Sequence, residues 1–317
     1  MLRWVGKILV GAVLLAIATS ALAWLMRSRP IDYGVTFSTI RTEQLNLDVG
    51  QTFSAILDDL KVKKIRIPIY WSEIEKESGV DDWSQIDYLM SQAREHQAEI
   101  TLAIGLKVPR WPECFAPDWT LKLPDDERDE ALLAFMARAV TRFRADGALE
   151  RWQVENEPLF NFGECPRPNL SRYLDEVALV RRLDPAHPIL VTTSGEQSWW
   201  GINTYPGDIL GATLYRFVAN DFIGPVIFPM NELFYLIQGW LARLQVDKVI
   251  ISELQGEAWN DDRNYDAFTV HDLERNAEFV SRIGVDEVYW WGVEWWYYLK
   301  VNEDSRLWDA AKEIFLK

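Results

Sequence analysis

Arg151-Trp152-Gln153-Val154-Glu155-Asn156-Glu157-Pro158 is the stretch from which the architecture can be read. Residues 151–154 have the composition of a short strand. The strand runs into two glutamates, an asparagine and a proline, residue types that gather where a new element starts. A second stretch, Val249-Ile250-Ile251-Ser252-Glu253-Leu254-Gln255, has the same form and also delivers a glutamate at its end. Working outward from these two, strand-like runs recur at 33–37, 64–69, 99–105, 151–154, 189–193, 209–214, 248–252 and 287–292.

Between the strands lie apolar residues at helical spacing. One segment carries Phe53, Ile56, Leu57 and Leu60. A second carries Trp83, Ile86, Leu89, Met90 and Ala93, and a third carries Leu132, Phe135, Met136, Ala139 and Phe143. Further helices are expected at 170–183, 232–244, 270–283 and 304–315, with Thr269 and Asp272 forming a capping box at the start of the third of these. Strands alternating with helices imply a parallel sheet. Eight strands predict a closed (β/α)8 barrel, one catalytic domain over residues 30–317. The connection after the fifth strand, 198–207, is too short and Trp-rich for a full helix. An open doubly wound sheet would place a glycine-rich phosphate loop after its first strand, and Gly34-Val35-Thr36-Phe37-Ser38 has none.

Residues 1–29 stand apart from the barrel. Arg3 and Lys7 precede residues 8–26, which carry no charge, and Arg27 and Arg29 follow. That length is close to the ~20 residues that span a bilayer, and Trp24 sits where an interface aromatic belongs, so a transmembrane anchor is expected. Ala21-Leu22-Ala23 also fits a cleavage site, so a secretory signal peptide stays open. In both cases the membrane is a partner of the segment, and the barrel works outside the cytoplasm.

Composition narrows the function. With 33 Lys and Arg against 48 Asp and Glu, the net charge of −15 excludes a phosphate-backbone partner, so no nucleic acid is expected. The histidines, His96, His187 and His271, show no metal-ligand spacing. Neither a metal nor another cofactor is expected. Sixteen Trp exceed ordinary core needs, and some should offer flat faces to sugar rings. Cys114 and Cys165 lie in predicted loops and are candidates for a disulfide in an exported domain, with two free buried thiols as the alternative. A monomer is expected.

In a barrel of this kind chemistry belongs where strands end. Glu157 and Glu253 both lie there. Retaining cleavage of a glycosidic bond needs two carboxyl groups ~5 Å apart, one to protonate the leaving oxygen and one to attack carbon. Asn156-Glu157-Pro158 after the fourth strand, joined to Glu253 ending the seventh, resembles glycoside hydrolase clan A, and the resemblance covers nearly all of residues 31–317. It implies a retaining hydrolase acting on an extracytoplasmic poly- or oligosaccharide, with Glu157 as acid/base and Glu253 as nucleophile. By the same resemblance Asn156 binds the sugar 2-hydroxyl, and Arg66 lies near the nucleophile, where its charge favours an ionised Glu253. Tyr215 would hydrogen-bond the nucleophile, and a Trp of the eighth strand would lie beneath the sugar; of Trp290 and Trp291 only one can face the site, and Trp290 is taken by its match to the motif. Gln255 and Glu257 depart from the commonest clan motif; they would read hydroxyls or brace the loop. Trp71, Trp111 and Trp259 are candidate subsite walls. Two other readings remain: a catalytically inactive carbohydrate-binding barrel, and an envelope complex subunit docked through the apolar region 222–244.

Overall fold

The computed structural model describes residues 28–200, 206–220, 224–229, 231–259 and 268–316. Its strands in chain order are β1 (Asp32–Thr36), β2 (Lys64–Pro68), β3 (Glu99–Ile104), β4 (Leu149–Val154), β5 (Ile189–Thr193), β6 (Ile209–Leu214), β7 (Phe217–Asn220), β8 (Gly224–Ile227), β9 (Lys248–Gln255) and β10 (Glu287–Trp291). Eight of them close a barrel in the order β1-β10-β9-β6-β5-β4-β3-β2, with every neighbouring pair parallel. The exceptions, β7 and β8, form an antiparallel hairpin that the sequence did not suggest.

Helices fill the connections much as the apolar spacing requires. Leu170–Leu183, Glu232–Ala242 and Val270–Arg282 pack where helices were expected, and Arg306–Phe315 starts two residues late. Thr269 and Asp272 form the full capping box, each side chain bonded to the other's backbone N–H. Asp48 and Asn169 cap two further helices by accepting from Gln51 N and Arg172 N. Among the described residues the β5–β6 connection carries no helix, and the barrel still closes.

The two faces of the sheet have different chemistry. Outward residues such as Val35, Ile65, Ile67 and Trp152 join the helices in one large apolar core. Inward residues are polar at both ends and apolar in the middle, where Leu190, Ile209, Ile250 and Tyr289 form a separate plug. At the N-terminal end of the strands, Arg151 Nη1 lies 2.9 Å from Glu287 Oε1, and Lys248 Nζ lies 2.5 Å from Glu287 Oε2. Burial raises the Glu287 pKa, but these cations outweigh it and hold the carboxyl below its ordinary value. This end of a barrel serves stability. Among the described residues no helix is long and apolar enough to cross a membrane, and the expected anchor or signal segment lies outside them, apart from Ser28 and Arg29.

Candidate active site

At the opposite end of the strands the inward polar residues converge on Glu253. Strict alternation along β9, with Ile250 in the inner plug, would turn Glu253 outward. The β6–β9 register shifts instead: Ala212 pairs with Ile251, and Thr213 with Glu253. That extra residue is a bulge, which re-aims the side chain inward. Both Glu253 oxygens accept hydrogen bonds, from Arg66 Nη1 and from Tyr215 Oη, each at 2.8 Å. Burial, and then the Glu253 charge, raise the Tyr215 pKa well above its ordinary value, so this hydroxyl stays a donor.

Arg66 is fully buried and bonded around its guanidinium. Beyond Glu253 it donates to Gln153 Oε1 at 2.6 Å, to Asn156 Oδ1 at 2.9 Å and to Thr36 Oγ1 at 3.3 Å. A planar fork of donors suits this arrangement, and a lysine could not supply it. Asn156 is fixed from the other end as well, since its Nδ2 donates to Glu113 Oε2 at 3.0 Å.

Glu157 reaches the same space through strained backbone. Glu155 and Glu157 adopt φ of 59° and 45°, a region that costs non-glycine residues on the order of 1–3 kcal/mol. Neighbours over-determine the turn. The Glu155 carboxylate accepts from Leu106 N at 2.9 Å and Lys107 N at 2.8 Å, and Glu157 N donates to Thr192 Oγ1 at 2.8 Å. Gly105 makes room: a Cβ there would lie 2.9 Å from Glu155 Oε1, and its φ is 134°. Burial first, and then the charges of Glu253 and Glu113, push the Glu157 carboxyl well above the ordinary carboxylate range. One carboxyl therefore receives donors on both oxygens, and a second, within its electrostatic reach, favours keeping its proton.

Neither a protein-family model nor a curated protein sequence matches the chain. Solved structures do resemble it. A GH5_18 protein of Streptomyces cattleya in complex with GlcNAc superposes with a TM-score of 0.62 at 14% identity, over 84% of this chain and 71% of that one. An exo-β-1,4-mannosidase from Opitutaceae bacterium strain TAV5 gives 0.65 at 15% identity, over 91% and 60%. A β-galactosidase of Halorubrum lacusprofundi gives 0.64 at 14% identity, over 90% and 58%. The chain shares with these proteins the closed eight-stranded parallel barrel.

On that barrel Glu157, Glu253, Asn156, Arg66 and Tyr215 come together at one rim. Trp290 and Trp71 do not take the places foreseen for them, and Gln255 takes the loop-bracing one of its two expected roles. Trp290 is fully buried on the outer side of β10, stacked 6.0 Å from Tyr33 and edge-on to Trp296, so it presents no face to a ligand. Trp291 is the inward residue, half-buried, with the Arg110 guanidinium 4.2 Å from its ring centroid. Trp71 is also core, stacked on Phe135 at 5.6 Å with its indole N–H donated to Glu75. Gln255 braces a loop, since its Oε1 accepts from Arg216 N and Phe217 N and its Nε2 donates to Phe217 O.

Trp111 and Trp259 line the rim together with two aromatics the sequence did not single out. Trp259 stands edge-on to Tyr215 at 5.2 Å, Phe162 lies 6.2 Å from Trp259, and Trp111 and Phe160 each lie 6.0 Å from Phe162. Cys114 and Cys165 are disulfide-bonded and tie the loop bearing Trp111 and Glu113 to the loop bearing Phe162.

Two further carboxyls were also missed. Glu113 and Glu196 are each pushed up to about 7, burial being the largest cause for both and the Glu253 charge contributing. Glu196 lies beside Glu253 because its carboxylate accepts from Tyr215 N and from Thr213 Oγ1. No sequence spacing links either glutamate to the pair; only closure of the barrel does. Glu257 joins Arg110 and Glu294 in a buried charge cluster, with Arg110 Nη1 2.5 Å from Glu257 and Arg110 Nη2 3.2 Å from Glu294.

Proposed function

We propose that the chain is a retaining glycoside hydrolase acting by double displacement, with Glu253 as nucleophile and Glu157 as acid/base. Glu253 attacks the anomeric carbon while Glu157 protonates the departing glycosidic oxygen. Glu157, now ionised, takes a proton from water, and that water releases the sugar from Glu253. The observation that carries this reading is the division of labour between the two carboxyls: Arg66 and Tyr215 donate to Glu253, while burial and the Glu253 charge favour the protonated form of Glu157. In this reading Asn156, held by Arg66 and Glu113, meets the sugar 2-hydroxyl, and Trp111, Phe162, Trp259 and Trp291 are the aromatic partners of the ring system.

The reading includes the place of work. The uncharged run 8–26 supports attachment to a membrane, and the Cys114–Cys165 bridge fits an oxidising, extracytoplasmic setting. A polymeric or oligomeric saccharide outside the cytoplasm is then the substrate.

The test uses activated 2-deoxy-2-fluoro aryl glycosides, in which the fluorine slows breakdown of a glycosyl-enzyme more than its formation. Mass spectrometry should find one added glycosyl group on the peptide containing Glu253, and Glu253→Gln should lose both the adduct and turnover of the parent aryl glycosides. Turnover by Glu253→Gln equal to the parent protein would reject the assignment. Carbohydrate binding without turnover or adduct on any glycoside would favour the inactive binding barrel.

A further inference from the structure

We infer that the outer face of the Glu232–Ala242 helix rests on the lipid bilayer, so that the barrel touches the membrane at a second place beside its N-terminal attachment. The face is unlike its surroundings. Leu233, Phe234, Ile237 and Trp240, followed by Leu244, are 39, 41, 45, 60 and 67% exposed, and their spacing puts them on one stripe. Tyr235, Gln238, Gly239 and Ala242 face the barrel on the other side. The neighbouring Val270–Arg282 helix exposes His271, Glu274 and Glu278, the ordinary outer face of a barrel in water. In a chain of net charge −15, a stripe of five large apolar side chains with no charge among them is not a solvated surface.

Its occupant follows from where the chain enters. Ser28 Oγ donates to Ser281 Oγ at 2.9 Å, and Arg29 N donates to Ser281 O at 3.0 Å, at the C-terminal end of the Val270–Arg282 helix. Arg243, just beyond Ala242, reaches the same place and donates to Gly284 O at 2.7 Å. The uncharged run 8–26 therefore joins the barrel next to the end of the apolar stripe. With that run in a bilayer, as the anchoring reading above supposes and as this inference requires, the membrane surface starts within one or two residues of Arg29. The stripe leads away from that point. Apolar side chains along one helix face, with a Trp among them, suit the boundary between headgroups and acyl chains. Of the charges at the two ends of the helix, Glu232 pairs with Arg282 at 3.4 Å and Arg243 donates to Gly284 O.

The full chain, reconstituted into phosphatidylcholine vesicles, tests this. Both native cysteines are in the disulfide, so Trp240→Cys and Leu244→Cys each give a single free thiol for an environment-sensitive nitrobenzoxadiazole label, with Glu274→Cys as the water-facing control. Trp240 and Leu244 are exposed, and the fold does not depend on them. The expected result is blue-shifted emission at 240 and 244 relative to 274, with loss of that emission when spin-labelled lipid is included. Water-like emission at 240 and 244 in protein that floats with the vesicles would overturn the docking face alone. A blue shift that spin-labelled lipid leaves unquenched would also overturn it, by showing a protein cover, either a second copy or residues 8–26. Failure of the full chain to float would instead overturn the anchoring, and the docking face with it.

Discussion

Replacing Glu113 by Gln should make the protein lose less stability between acid and neutral pH. Glu113 is 6% exposed, and its pKa rises from 4.5 to about 7, through burial first and with the Glu253 charge adding to it; Lys107, the Asn156 hydrogen bond and Arg66 act the other way. Below pH 4.5 both folded and unfolded chains hold the proton, and the group is neutral to stability. Above that value the unfolded chain releases its proton while the folded protein keeps it, which favours unfolding, and the loss accumulates until the pH passes the folded value. At ~1.4 kcal/mol per pH unit, the interval from 4.5 to about 7 comes to about 3 kcal/mol.

Gln keeps an oxygen to accept from Asn156 Nδ2 and has no proton to lose. Urea unfolding followed by Trp fluorescence, with the disulfide intact, should therefore show the stability difference between Glu113→Gln and parent growing in the variant's favour by about 3 kcal/mol between about pH 4.5 and pH 8. The same substitution removes one cause of the raised Glu157 pKa, so the alkaline limb of the kcat/KM profile should move to lower pH. Parallel stability curves for variant and parent would refute the reasoning, because they would mean that Glu113 ionises as freely in the folded protein as in the unfolded chain.

Tyr215→Phe removes a hydrogen bond to Glu253 worth about 1.5–3 kcal/mol, so the melting temperature should fall and kcat/KM should drop roughly ten- to a hundredfold. Steady-state kinetics on an aryl glycoside beside thermal melts checks this. Gly105→Ala puts a Cβ 2.9 Å from Glu155 Oε1 at a φ of 134°, and should cost on the order of 1–3 kcal/mol in urea unfolding. An unchanged midpoint would show that the Glu155 turn tolerates displacement.

The barrel was legible because strand and helix segments alternate along the chain; within single strands, alternate positions also mark the side that faces inward. Lys64-x-Arg66, Arg151-x-Gln153 and Glu287-x-Tyr289-x-Trp291 mark the inward side of β2, β4 and β10. That parity places Trp291 inward and Trp290 outward; choosing Trp290 gave a resemblance more weight than the alternation of its own strand. Trp71 misled for a different reason. It follows β2 closely, yet its four-residue helix turns the indole into the apolar layer against Phe135. Glu253 points inward only through the register shift against β6, which no single-strand pattern reveals. Glu113 and Glu196 were illegible because isolated glutamates in loops acquire meaning only when closure brings them beside Glu253.

Closure also explains how the pair of glutamates comes to differ. Glu157 lies within electrostatic reach of Glu113, Glu196 and Glu253, and the Glu253 charge also acts on Glu113 and Glu196; Glu113, Glu157 and Glu253 are buried and Glu196 is half-buried. Arg66 and Lys107 are the cations that enter the balance around Glu113. Arg66 commits its guanidinium to Glu253 and to the amides that frame it, while the Lys107 amine donates to the backbone carbonyls of Glu157 and Phe160 rather than to a carboxylate. Carboxyls thus outnumber the cations free to stabilise their charge, and a low-dielectric site with that surplus must retain protons. Glu253 holds the donors, and its neighbours Glu113, Glu157 and Glu196 are the carboxyls whose pKa rises. The acid character of Glu157 is then a property of the whole pocket, set from the far side by Arg66, and it should weaken whenever any neighbouring carboxyl is neutralised.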